Sequence, residues 1–181
     1  MKQQVNTLKL ETDRTILEPL TPEHSEVLFE PFCDPDLYHY IFWEIPKSVE
    51  SLRTFFDRIC KGSSDDGKQL WLNWASRDKE SGQYSGFFET TIDGSDASLA
   101  YFTFKPFQQK GYAKEGVLAL IEGLTSTYSP ETFTVEMDTR NRASVKLAES
   151  MGFRWHETVN NACELKDYQS HEFVFRMNAK K

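Results

Sequence analysis

At 181 residues the chain is long enough to bury one sizeable core and too short for several ordinary domains. Its 39% hydrophobic and 27% charged residues exclude a wholly disordered chain. A net charge of −7 argues against nucleic acid or an anionic membrane as the main partner, and weakly suits a cationic amine.

The alternating stretches Thr7–Leu10 and Thr15–Leu20 flank a polar corner and predict a strand or the start of a hairpin. Thr21-Pro22-Glu23 combines a capping hydroxyl, a proline at the first helical position and an acid in the first turn, predicting a helix to about Phe32. Asp34-Pro35-Asp36 opens a second short helix carrying Leu37, Tyr38 and Ile41. Ser48 caps a third, with Val49, Leu52, Phe55, Phe56 and Ile59 at helical spacing and Gly62 as its stop. Ser63–Gly67 has linker chemistry but is too short to divide domains. Leu70–Ser76, Ser85–Ile92 and Ser98–Lys105 then predict a three-stranded antiparallel meander, turned at Asp93-Gly94. A helix follows from Gly111 to Tyr128 with the stripe Val117, Leu118, Leu120, Ile121 and Leu124. Strand Thr132–Met137, helix Asn141–Met151 stopped by Gly152, and strands near Arg154–Val159 and Glu172–Met177 complete a single α+β domain around a mostly antiparallel sheet.

Cys33, Cys60 and Cys163 are odd in number and form no Cys-x-x-Cys pair, which predicts neither a disulfide framework nor a zinc site and fits a reducing compartment. His24, His39, His156 and His171 show no ligand spacing, so no metal is expected. Met1–Glu11 lacks the apolar core of a secretion signal, and no apolar run is long enough to span a bilayer; a cytoplasmic protein is expected.

The segment Gln108-Gln109-Lys110-Gly111-Tyr112-Ala113 lies between a predicted strand and a predicted helix. A loop with a bare glycine and alanine that opens straight into a helix aims several N–H groups and a positive dipole end at one place, suited to a phosphate. Taken alone it reads equally well as an empty helix start. The chain has no Gly-x-x-x-x-Gly-Lys-[Ser/Thr] and no Gly-x-Gly-x-x-Gly, which excludes a P-loop and a dinucleotide fold.

Downstream stand Asp138-Thr139-Arg140-Asn141-Arg142-Ala143-Ser144 and Gly152-Phe153. With Gln108–Ala113, in this order, they resemble the GNAT superfamily of acetyl-CoA-dependent N-acyltransferases and its RimJ/RimL-like branch. Leu10–Arg14 through Leu20-Thr21-Pro22 looks like that branch's opening, and Asp167–Met177 like its last strand. The resemblance implies a GNAT-like domain over residues 1–181, with acetyl-CoA as cosubstrate and no metal. Acetyl would pass directly to a primary amine, either a protein N-terminus or a small molecule. Residues 108 to 113 would hold the CoA pyrophosphate. The main chain of Phe102, Thr103 and Phe104 would pair with pantetheine where this strand diverges from the next, and polarise the thioester carbonyl. Asn141 would touch the pantetheine arm, and Ser144 would protonate the departing thiolate.

Two departures bear on the chemistry. Where many superfamily members carry a tyrosine acid, this chain has Ala148; where relatives often read Glu-Ile-Gly-Tyr, it has Ser98-Leu99-Ala100-Tyr101. Ser144 is therefore the candidate acid, and Glu89 a candidate base, although a strand carboxylate more often faces solvent. The aromatic stretch Tyr38–Pro46 is expected to pack mostly into the core, with Trp43 and Glu44 offering a ring face and a carboxylate to an amine. Asn141 also suits a plain helix cap. A non-catalytic CoA-binding or protein-interaction domain that kept the fold stays open, as does a homodimer through exposed strand edges.

Overall fold

Along strand Gln69–Asp78, Leu72 and Trp74 on one side and Asn73 and Ala75 on the other are all buried, the mark of a strand covered on both faces. The computed structural model describes residues 6–165 and 168–179. Its sheet contains β1 (Leu10–Glu11), β2 (Thr15–Pro19), β3 (Gln69–Asp78), β4 (Tyr84–Asp93), β5 (Asp96–Thr103), β6 (Thr132–Asp138), β7 (Arg154–Leu165) and β8 (Tyr168–Asn178). The strand order is β1-β2-β3-β4-β5-β6-β8-β7. Neighbours run antiparallel except β5 and β6, which are parallel. Helices α1 (Ser25–Phe32) and α2 (Val49–Ile59) cover one face through Leu28, Phe32, Leu52 and Phe56, which pack on Ala75 and Phe87. Helices α3 (Tyr112–Tyr128) and α4 (Arg142–Met151) cover the other through Val117, Leu120, Leu124 and Ala148, which pack on Leu72, Trp74 and Phe88.

The meander and the starts of α2, α3 and α4 fall where the sequence predicts them. Ser48 Oγ accepts from the Ser51 amide at 3.1 Å, and Ser51 Oγ accepts in return from the Ser48 amide at 3.0 Å. Other expectations need correction. Thr7–Lys9 lie outside β1, and α1 begins at Ser25 behind a 3₁₀ turn, Pro22–His24. The second short helix is a 3₁₀ turn, Pro35–His39, that ends before Ile41. The strand expected near Arg154–Val159 extends to Leu165. Asp167, the expected start of the last strand, lies outside the described residues. Leu118 is 42% exposed and does not belong to the α3 stripe. The stripe is completed instead by Gly116 and Gly123, where an added Cβ would run into Phe88 and Leu10. Glycine lets α3 approach the sheet closely, and an apolar stripe drawn from large residues overlooks it.

Candidate active site

β5 and β6 pair only from Asp96 with Thr132 to Ser98 with Thr134. Beyond that point β5 stays with β4 as far as Thr103, and β6 stays with β8 as far as Asp138, so a gap opens between their carboxyl ends. In an antiparallel ladder the main-chain groups of alternate residues point to opposite neighbours. The Phe104 amide donates to Ser85 O at 2.9 Å and Gly86 stands opposite Thr103, which fixes the phase. The main-chain groups of Ala100, Phe102 and Phe104 therefore face β4, and those of Leu99, Tyr101 and Thr103 face the gap. This corrects the assignment of Phe102 and Phe104 as main-chain contacts of pantetheine. The Phe102 ring stacks on Phe87 at 5.5 Å and Phe104 is 3% exposed, both in the core under α1 and α2. Thr103 O accepts from Gln108 Nε2 at 3.1 Å, which leaves the Tyr101 N–H and C=O and the Thr103 N–H open.

At the end of β5 the loop turns through Gln109 at φ 57° and Gly111 at φ 85° into α3. The helical ladder starts with the Glu115 amide donating to Gly111 O at 3.1 Å. Among the described residues, none of the hydrogen bonds uses the amides of residues 109 to 114. Six successive N–H groups at a helix start, with Lys110 and Lys114 beside them, form an anion cradle. Its shape is imposed from the β1–β2 turn by Arg14. The Arg14 side chain donates Nε to Glu115 Oε2 at 2.6 Å and Nη1 to Lys110 O at 2.9 Å, and lies 4.3 Å over the Tyr112 ring. Tyr112 in turn donates its hydroxyl to Asp78 Oδ2 at 2.8 Å. Burial raises the Glu115 carboxyl, but hydrogen bonds from Thr12 and Arg14 outweigh it and hold it below the usual range. Arg14 and Glu115 have no signal in the sequence, because 101 residues separate the partners.

The Asp138 segment closes the far side of the gap. Asp138 is 3% exposed and accepts from the Arg140 amide at 2.8 Å, Arg140 Nε at 2.9 Å and Ser170 Oγ at 2.8 Å. Burial raises its carboxyl, yet these bonds hold it below the usual range, so it stays ionised and shapes the turn into α4. Asn141 caps that helix, its Oδ1 accepting from the Ser144 amide at 3.2 Å. No hydrogen bond among the described residues uses Asn141 Nδ2 or Ser144 Oγ, so the cap leaves both free to meet a ligand. Ala148 is fully buried, in a position with no polar group to offer.

Trp43, Glu44 and Glu89 belong to the opposite face. Trp43 meets Phe55, Phe87 and Phe102 edge-on, with ring centres 4.9, 5.7 and 6.2 Å apart, so it is a packing residue along one side. On its other side, a pocket of about 660 Å³ opens between residues 42 to 47 and α2, with exposed Glu44 at the rim. Glu89 lies beyond Phe87 on the same strand face, opposite Ala100 on β5. No donor among the described residues reaches its carboxyl, and burial alone pushes it up. Among the described residues no His, Cys, Asp or Glu cluster is placed to hold a metal ion, and no helix is long and apolar enough to cross a membrane.

The chain belongs to the GNAT acetyltransferases, matching the Acetyltransferase (GNAT) domain family over residues 14–154. It is thus an enzyme of acetyl transfer. No curated protein sequence matches it. RimL, the ribosomal L7/L12 α-N-protein acetyltransferase, solved in complex with coenzyme A, superposes with a TM-score of 0.84 at 14% identity, over 94% of this chain and 98% of that one. A Salmonella typhimurium acetyl transferase that modifies the N-terminal serine of L7/L12 gives 0.83 at 13% identity, over 96% and 100%. The microcin C7 self-immunity acetyltransferase MccE, solved with acetyl-CoA and AMP, gives 0.80 at 17% identity, over 92% and 93%. At these identities the likeness is one of fold: a single GNAT domain shared with RimL-type enzymes.

The environment of Glu89 makes a prediction for stability. Its folded pKa is raised, so between the ordinary carboxylate value of about 4.3 and the folded value the native state holds more protons, and stability falls as pH rises through that window. Glu89→Gln has no such loss. Its Tm relative to wild type should therefore be higher at pH 7 than at pH 4, and a difference independent of pH would contradict the half-buried, unpartnered carboxyl.

Proposed function

We propose that the protein moves acetyl from acetyl-CoA to a primary amine by direct transfer, as one domain of residues 1–181 working in the cytoplasm. One observation carries this reading: the gap between β5 and β6 has six unused amides at one end and unpaired main-chain groups along one side. A CoA pyrophosphate suits the amides of residues 109 to 114, with Gln109, Lys110, Gly111, Tyr112 and Ala113 contributing main chain rather than chemistry; the Gln108 amide is already given to Lys105 O at 3.3 Å, so Gln108 shapes the loop instead. Pantetheine, an extended amide chain, suits Tyr101, Thr103 and Asn141 Nδ2. The Tyr101 N–H is the donor best placed to polarise a thioester carbonyl in the gap. Ser144 supplies the proton to the departing thiolate, and Glu89 removes one from the amine.

Burial pushes Cys60 up to about 12 and also raises Cys163. Neither is a ready thiolate, which favours direct attack over an acetyl-cysteine intermediate. The acceptor enters from the face of Trp43 and Glu44. The pocket there is lined mainly by Phe42, Trp43, Ile45 and Phe55, with Glu44, Lys47 and Arg58 adding charge. Such a lining suits an amine carried on an apolar body, whether an N-terminal residue or a small molecule, better than a polyamine.

Calorimetric titration with acetyl-CoA, compared with dephospho-CoA and ATP, tests the cosubstrate, and thiol release over a panel of amines tests the reaction. Saturable binding near the micromolar range, about −8 kcal/mol, is expected. No binding at millimolar acetyl-CoA would overturn the reading, whereas binding without thiol release would leave a CoA-binding domain that does not catalyse. Ser144→Ala should lower kcat by roughly 10²-fold, the low end for general acid catalysis, because a thiolate already leaves readily. Full turnover would remove Ser144 from the mechanism. Arg14→Ala should weaken acetyl-CoA binding about tenfold, about 1.4 kcal/mol, with kcat retained at saturation; unchanged affinity would mean that the loop keeps its shape without Arg14.

A further inference from the structure

Asn73 stands directly across from Glu89 in the β3–β4 register, and both side chains lie on the α1/α2 face of the sheet. Asn73 is 3% exposed. Its Nδ2 donates to Ile59 O, in the last turn of α2, at 3.0 Å. A carbonyl partner can only accept, so this bond fixes the amide orientation and leaves Oδ1 as the atom aimed elsewhere. That Oδ1 is sealed from solvent and has no partner. A buried amide oxygen without a donor is costly and calls for an explanation.

The groups around it narrow the choice. Laterally, Glu89 meets Asn73 on β3 and Ala100 on β5; along its own strand face it meets Phe87 and Thr91. No charged group of β3, β5, α1 or α2 acts on it, since burial is the sole cause of its shift. A sealed amide oxygen and a half-buried carboxyl thus belong to one cross-strand pair, and no donor among the described residues serves either. A proton on the carboxyl supplies the donor that the amide oxygen lacks. Cross-strand neighbours hold their Cβ atoms about 4.5–5.5 Å apart, within reach of a glutamic acid side chain.

We propose that the acid form of Glu89 donates its O–H to Asn73 Oδ1, which makes Asn73 a positioning residue for proton transfer in this site. The catalytic consequence rests on Glu89 being the base proposed above; the pairing itself does not. A carboxyl whose acid form is held by an acceptor and whose ionised form is poorly solvated is a stronger base than one in water. It is better matched to an ammonium group, at the expense of the fraction ionised at low pH. The bond also fixes the carboxyl rotamer, pointing its second oxygen away from β3. Asn73 itself touches neither amine nor thioester in this scheme.

Infrared difference spectra of wild type against Glu89→Gln test the pairing without reference to turnover. A carboxyl C=O band that is lost in Glu89→Gln and titrates above the ordinary carboxylate value of about 4.3 is expected; a band titrating at that ordinary value would overturn the proposal. Titration of that band is then followed in two substitutions at position 73. Asn73→Leu removes the acceptor, so the midpoint should fall by about one pH unit, the size of one hydrogen bond to the neutral form. Asn73→Asp supplies a competing carboxylate, so the midpoint should rise, the two carboxyls sharing a proton. The acidic limb of kcat/KM for acetyl transfer should move in the same two directions. General damage to the fold would lower activity without shifting the midpoint oppositely in the two variants. Midpoints unmoved, or moved the same way, would overturn the role of Asn73. A band that titrates as expected beside a limb that does not follow would keep the pair and remove Glu89 as the base.

Discussion

The separation of β5 from β6 governs the rest of the molecule. Two parallel strands that begin as neighbours would ordinarily continue pairing, because buried N–H and C=O groups are expensive to leave unmet. Here pairing stops after Ser98 and Thr134, and each strand keeps its outer neighbour. The inner edges, above all the Tyr101 N–H and C=O, are left unpaired among the described residues. Both crossover loops leave from the carboxyl ends of these two strands, so one opening gathers the Gln108–Ala113 cradle and the Asn141–Ser144 helix start. The position is that of ligands in open α/β sheets generally, outside the carboxyl ends where neighbouring strands part.

An opening of this kind needs rigid margins, and each margin carries an ion pair that acts on the main chain. Arg14 joins Glu115 to Lys110 O and fixes the cradle from a strand remote in sequence. Arg140 joins Asp138, lies 3.4 Å from the Tyr168 ring centre, and receives the Tyr40 hydroxyl on its carbonyl at 3.4 Å, linking the margin of the gap to the segment that leads into the pocket beside α2. The partly exposed Arg14–Glu115 pair contributes little stability by itself, whereas Arg140 answers a buried carboxylate. Their importance lies in direction: both hold loop carbonyls and carboxylates in place so that neighbouring amides stay turned toward the gap.

Much of this was legible in the sequence because it depends on local chemistry. Gly111 at positive φ, Asn141 as a cap and the capped start of α2 are decided within a few residues, and the order of the loops identified the family. What was illegible depends on register and on distant partners. Whether Phe102 or Tyr101 faces the gap is a matter of phase, settled only by Phe104 meeting Ser85. The α3 stripe was misread at Leu118 because the closest contacts are made by Gly116 and Gly123, where there is no side chain to count. Arg14 is unremarkable until Glu115 is folded against it, and Asn73 until Ile59 takes its amide.

The placement of polar groups on the two sheet faces accounts for how the chain manages without an acid at Ala148. That side chain is fully buried in the core under α3 and α4, so nothing polar can be supplied from there. Ser144 stands one turn earlier on the same helix, at its amino end beside the gap, with a hydroxyl that no hydrogen bond among the described residues uses. Glu89 lies on the other face, the one that α1 and α2 cover. Under the proposed transfer the two proton steps fall on opposite sides of one sheet, and the gap between β5 and β6 is the opening that joins those sides.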